Sequence, residues 1–176
     1  MRHYGLPLIE PPGTLHVAVA SWRGTSRTGV GRTVVHRVRE ILLPEPAAPP
    51  VAEVEQALIG FMRCANELDA LIALDAAVRA GRVDRGQVRA ALPGPRNAPL
   101  RALLDRTCPR ARSLLETIAR YELEAAGYRP YPGVVIEGIG EVDIVLSRGP
   151  VRLELEPDGV VRLHTGDPAM YGAINE

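Results

Sequence analysis

Glu116, Asp143, Glu154, Glu156 and Asp158 are the side chains whose types and spacing best fit a reaction. Residues two apart on a strand point to one face, so Glu154 and Glu156 project together if residues 151 to 156 are extended. A neighbouring strand over 141 to 146 brings Asp143 within their reach. Converging carboxylates repel unless protons or a divalent cation neutralise them, and oxygen-only ligation suits Mg²⁺ or Mn²⁺. Such a centre polarises a phosphate and lowers the pKa of a bound water, which is the chemistry of phosphodiester hydrolysis. His164, one strand later, would orient that water or protonate the leaving oxygen. Acids beside a turn are otherwise simply solvated.

A second group suits a polyanion. Residues 21 to 29 form a loop rich in Gly, Ser, Thr and Arg that holds Trp22, the only tryptophan, with Arg23 and Arg27. Guanidinium groups for phosphate and an indole for base stacking together make a nucleic-acid contact. The formal net charge of zero is arranged in blocks. Residues 1–39 carry six Arg against Glu10, and residues 40–75 carry seven acids against Arg63. Residues 76–112 hold nine Arg against Asp84 and Asp105, and 113–176 hold eleven acids against five Arg. One molecule can thus present a basic DNA footprint beside an acidic site, or pair its own segments. All 21 basic residues are Arg, which excludes Schiff-base chemistry, a P-loop lysine and the usual nuclease lysine.

The elements that would position these groups follow from periodicity and punctuation. Leu15–Ala20 and Thr33–Val38 are alternating or β-branched runs, which the loop between them joins as a β-hairpin. Pro44, Pro46, Pro49 and Pro50 then make a linker. Helical period begins after Val51, with Val54, Ala57, Leu58 and Phe61 on one stripe. Asn66 caps a helix that stops at Gly81, Asp84 and Gln87 have capping-box spacing, and Asn97 caps a helix carrying Leu100, Leu103 and Leu104. Ser113 and Glu116 form another capping box, opening a helix to Gly127 with Leu114, Ile118, Tyr121 and Ala125 on its apolar face. Four strands follow, at 134–137, 141–146, 151–156 and 160–164, separated by Gly and Pro turns. A meander packed on the preceding helix is the expected arrangement.

The 176 residues are 46% hydrophobic but only 4% aromatic, so the core must be aliphatic. Cys64 and Cys108 have no zinc-ribbon spacing and make no disulfide framework, which leaves a reducing, cytoplasmic compartment as the expectation. No apolar run approaches the roughly 18 residues of a membrane span, and no signal-peptide core is visible at the N-terminus.

The ordered series Ser113-Leu-Leu-Glu116, the helix ending in Ala-Gly-Tyr, Gly140-Glu-Val-Asp143, Leu153 to Gly159, His164 and Asp167-Pro168 resembles the endonuclease-like domain related to very-short-patch-repair nucleases. That domain belongs to the PD-(D/E)XK superfamily. Residues before it resemble the AbiEi-antitoxin-like module that accompanies such domains in actinobacterial and phage proteins. This likeness rests on His3 to Pro7, His36, the Ala73 to Gly81 stretch, Val83 and Val88. The resemblance implies an α+β protein: a β-hairpin and helical region over 1–107, and an endonuclease-like helix and meander over 108–176. It makes Glu116 the helix carboxylate, Asp143 a metal ligand, Glu154 or Glu156 the second ligand, and His164 the histidine after that motif. The implied function is Mg²⁺- or Mn²⁺-dependent cleavage of DNA, or nucleic-acid binding by an antitoxin-like regulator with a vestigial nuclease fold. The family's winged helix ahead of Gly5-Leu-Pro7, and its helix and strand after Asp167-Pro168, have no counterpart. An incomplete sheet that completes itself by homo-oligomerising is therefore expected.

Overall fold

Three of the helix starts in this chain follow side-chain caps. A computed structural model describes residues 1–10, 13–21, 33–38, 47, 49–136 and 140–146, and the backbone of 147–148, 151–155 and 161–165. Its elements, in order, are β1 (Leu15–Ala20), β2 (Thr33–Val38), α1 (Val54–Met62), α2 (Glu67–Arg79), α3 (Arg85–Ala90), α4 (Ala98–Asp105), α5 (Leu114–Ala125), β3 (Arg129–Ile136), β4 (Gly140–Arg148), β5 (Val151–Leu155) and β6 (Val161–Thr165). The protein is thus mixed α+β. The side chains of Asn66, Asp84 and Ser113 accept the N–H groups of Asp69, Gln87 and Glu116 at 2.8, 2.9 and 3.1 Å, satisfying donors that a helix start leaves free. Asn97 differs. A 3₁₀ turn over Pro95–Asn97 runs directly into α4, so Asn97 does not cap it and its Nδ2 donates instead to the Pro93 carbonyl.

The helices α1 to α4 surround an aliphatic core of Leu58, Met62, Leu71, Leu74, Val88, Leu92 and Leu104, interleaved with Ala70, Ala73 and Ala77. The N-terminal segment belongs to this core as well. Leu6 is buried, Met1 and Tyr4 pack on the cluster, and the Tyr4 hydroxyl donates to the Ala52 carbonyl. Asp75 is buried inside the apolar run of α2.

The expected β-hairpin is not formed: β1 and β2 pair parallel, with Leu15 opposite Thr33 and Ala18 opposite His36. Alternating residues fix which face of a strand is which but carry no information on strand direction. The connection over residues 21–32 reaches the dozen or so residues that a parallel crossover requires. The expected meander is present, in the order β3-β4-β5-β6 with every neighbour antiparallel. Helix α5 packs on both α2 and β3.

The face of α5 also differs from the expected apolar stripe. Its buried residues are Glu116, Thr117 and Arg120, whereas Ala125 is exposed and Leu114, Ile118 and Tyr121 are only half-buried. The reason is that α5 docks onto Asp75 of α2, so its inner face is polar where they meet. Among the described residues no helix is long and apolar enough to cross a membrane.

Candidate functional site: a carboxylate centre closed by an arginine

Three carboxylates meet at Arg112, in the turn before α5. Glu141 and Asp143 stand two residues apart on β4 and so share a face. The Arg112 guanidinium donates to Glu141 Oε2 at 2.8 Å and to Asp143 Oδ1 at 2.9 Å. Its backbone N–H donates to Glu116 Oε2 at 3.0 Å. The Glu116 carboxylate therefore reaches one residue beyond the capping Ser113 to close the helix start, and it is only 4% exposed there. Glu141 above all, with Asp143 and Glu116 adding to it against some loss of hydration, holds the Arg112 proton more tightly than usual.

Gly133 permits this approach. It has φ +60°, a left-handed conformation that favours glycine. A Cβ there would lie 3.3 Å from the Arg110 carbonyl oxygen and 3.6 Å from Glu141 Oε1. The turn carrying Arg112 can thus lie against the β3-β4 pair.

The structure brings Glu116 and Asp143 to one place, although each is held by Arg112. Glu154 pairs in register with Val145, a position two residues from Asp143 on the same sheet face. His164 on β6 pairs with Arg152 on β5. Glu156, Asp158, Trp22, Arg23 and Arg27 lie outside the described residues. An all-oxygen Mg²⁺ or Mn²⁺ site needs carboxylate oxygens free to coordinate. Here those of Glu141 and Asp143 already neutralise a guanidinium, and Glu116 accepts a backbone N–H. Each of these bonds uses one oxygen of its carboxylate, and the single guanidinium charge faces three acids.

Two clusters were not foreseen from the sequence. The first is buried between α2 and α5. Asp75, 1% exposed, accepts the Cys108 N–H at 2.7 Å, the Thr117 hydroxyl at 2.9 Å and Arg120 Nη2 at 2.9 Å. Arg120 Nη1 donates onward to Glu124 Oε1 at 2.9 Å, and Glu124 accepts Arg106 Nη2 at 2.8 Å. Burial raises the Asp75 pKa, with the Cys108 N–H, Arg120 and Thr117 pulling the other way. Desolvation opposes the charge on Arg120, but Asp75 and Glu124 outweigh it and keep the guanidinium cationic. A carboxylate in the middle of the Ala70–Ala77 run was the signal, since an acid there must find a buried partner.

The second lies where β1, β2 and the end of α1 meet. His16 Nδ1 and His36 Nε2 are 2.9 Å apart, with rings stacked at 5.2 Å between centroids. Cys64 Sγ stands 3.6 Å from His16 Nδ1 and 3.4 Å from the Gly60 and Phe61 carbonyl oxygens. An added Cβ on Gly60 would lie 3.7 Å from the His36 ring, so the imidazole rests directly on α1. Burial, then His16 and Arg63, lowers the His36 pKa, and burial raises that of the Cys64 thiol. Each histidine sits in a recognisable strand, but their meeting depends on a parallel register that the sequence does not declare.

The chain matches no known protein family, no curated protein and no solved structure.

Proposed function

We propose that the chain is a nucleic-acid-binding protein of the antitoxin-like regulatory kind, built on a restriction-endonuclease-like helix and meander whose carboxylate centre Arg112 keeps closed. The observation that carries this reading is the bridging of Glu141 and Asp143 by one guanidinium whose own N–H holds Glu116. On this reading the Arg112 guanidinium stands where a nuclease would hold its metal. The affinity for DNA rests on the 76–112 segment. Of its nine arginines, Arg79, Arg82, Arg85, Arg96, Arg101 and Arg110 have no carboxylate partner among the described residues. Arg79, Arg85 and Arg101 donate to backbone carbonyls, which leaves their charge uncompensated. Uncompensated guanidinium groups release counterions on meeting phosphate. The setting is cytoplasmic, with DNA as the partner and self-association through the sheet edge.

The convergence of Glu116 and Asp143 on one cation position favours a second reading, a Mg²⁺-dependent endonuclease that opens when Arg112 swings away. Two measurements on the same protein separate them. Fluorescence anisotropy with duplex DNA at low salt should show binding, and plasmid incubated with Mg²⁺ or Mn²⁺ should remain supercoiled. Metal-dependent nicking that Asp143→Ala abolishes would establish the endonuclease instead. Absence of DNA binding at low salt would end both readings.

A further inference from the structure

We propose that His16, His36 and Cys64 form a Zn²⁺ site that clips the β1-β2 pair to the end of α1. Two imidazole nitrogens and a thiolate are the donor set of this borderline-soft ion, unlike the oxygens that Mg²⁺ requires. Among the described residues these three side chains bring their ligand atoms within 4.8 Å of one another. The spacing suits a single ion. Tetrahedral Zn²⁺, with nitrogen at about 2.0–2.1 Å and sulfur at about 2.3 Å, separates neighbouring ligand atoms by about 3.3–3.6 Å. Cys64 Sγ and His16 Nδ1 are 3.6 Å apart, and the two histidine nitrogens at 2.9 Å need to part only slightly.

The surrounding structure supplies an independent reason for a clip. A two-stranded sheet is marginal by itself. In β1 and β2 only Ala20 is buried, so little apolar burial holds the pair. The three ligands come from positions far apart in sequence, and a shared ion would close those loops at once. His16 and Cys64 are exposed, so an ion can enter, and a water can take the fourth position. The site lies apart from the Arg112 centre and does not depend on the nucleic-acid reading.

Full-length protein without a histidine tag, freed of metal by chelator, should bind one equivalent of Co²⁺. The complex should show the intense visible bands of tetrahedral cobalt and a thiolate-to-cobalt charge-transfer band in the near ultraviolet, and Zn²⁺ should bleach both. Cys64→Ser should remove the charge-transfer band, whereas Cys108→Ser should keep it. His16→Ala and His36→Ala should each weaken Zn²⁺ binding by at least about 100-fold, more than loss of an outer-sphere partner does. Zn²⁺ should raise the Tm of the wild type and of Cys108→Ser, a readout that does not require the ligand variants to fold. No stoichiometric Co²⁺ binding by the wild type would overturn the proposal and leave a hydrogen-bonded trio. So would a charge-transfer band that depends on Cys108 in place of Cys64.

Discussion

Asp75 and Arg120 are a buried ion pair whose partners are both nearly inaccessible, at 1% and 3% exposed. Removing one partner from such a pair typically costs about 3–5 kcal/mol, because the other charge is left in a poorly hydrating interior. Asp75→Ala should therefore lower the unfolding free energy by about that amount at neutral pH, as measured by urea titration. The pH dependence has a definite sign. Burial raises the Asp75 pKa above its unfolded value of about 3.9, so the folded state binds this proton more tightly than the unfolded chain. This group's contribution is fully present below about pH 3.9 and is lost as pH rises through the folded pKa. Asp75→Asn should flatten that part of the stability profile relative to wild type. Arg112 provides a second residue-level test. Mg²⁺ should leave the wild-type Tm unchanged, whereas Arg112→Gln frees Asp143 and Glu141 and should gain a rise of a few degrees, the linkage expected of a newly bound ion. A wild type that responds equally would mean that Arg112 does not close the centre.

At the scale of elements, α3 shows how much stability rests on local chemistry. It spans only Arg85–Ala90, yet it anchors Val88, which is fully buried in the helical core. Asp84→Ala should cost about 1 kcal/mol by removing the bond to the Gln87 N–H. Gly81→Ala, at φ +63° with open space around the added Cβ, should cost a similar amount, about 1 kcal/mol, through the backbone alone. Thermal unfolding of the two variants would check both figures. These caps were legible because Asn66, Asp84, Ser113 and Gly81 act on atoms a few residues away, and the α5-to-meander order was legible for the same reason. The contacts between elements were not. Alternation in β1 and β2 could not distinguish a parallel pair from a hairpin, so the meeting of His16 with His36 stayed hidden. Periodicity gave Asp75 no role, and it assigned α5 an apolar inner face where Thr117 and Arg120 lie. Glu116 and Asp143 were both among the acids singled out, but Asp143 was matched with Glu154 or Glu156, and Arg112 was read as one more basic residue of its block.

For the whole molecule, the charge blocks proved partly self-satisfied. Arg89 pairs with Asp105, Arg106 with Glu67 and Glu124, and Arg112 with β4, leaving six arginines of that block without an acidic partner among the described residues. If those six carry the DNA affinity, replacing Arg82, Arg96 and Arg110 with Gln should reduce the slope of log affinity against log salt by about 2.7, at about 0.9 per phosphate contact. Anisotropy titrations across a range of salt would read that slope. β6 pairs only with β5 among the described residues, and a strand from a second copy added along its other side would extend the sheet. Sedimentation should accordingly show mass above that of a monomer at micromolar concentration, and a clean monomer would count against self-association. The bond from the Cys108 N–H to Asp75 gives the molecule a clock as well. This amide lies outside any helix, yet it donates to a carboxylate buried between α2 and α5, so its hydrogen exchanges only when that bond opens. Its exchange rate measures how often the loop before α5 lets go of Asp75, an opening that a static view of the interface does not convey.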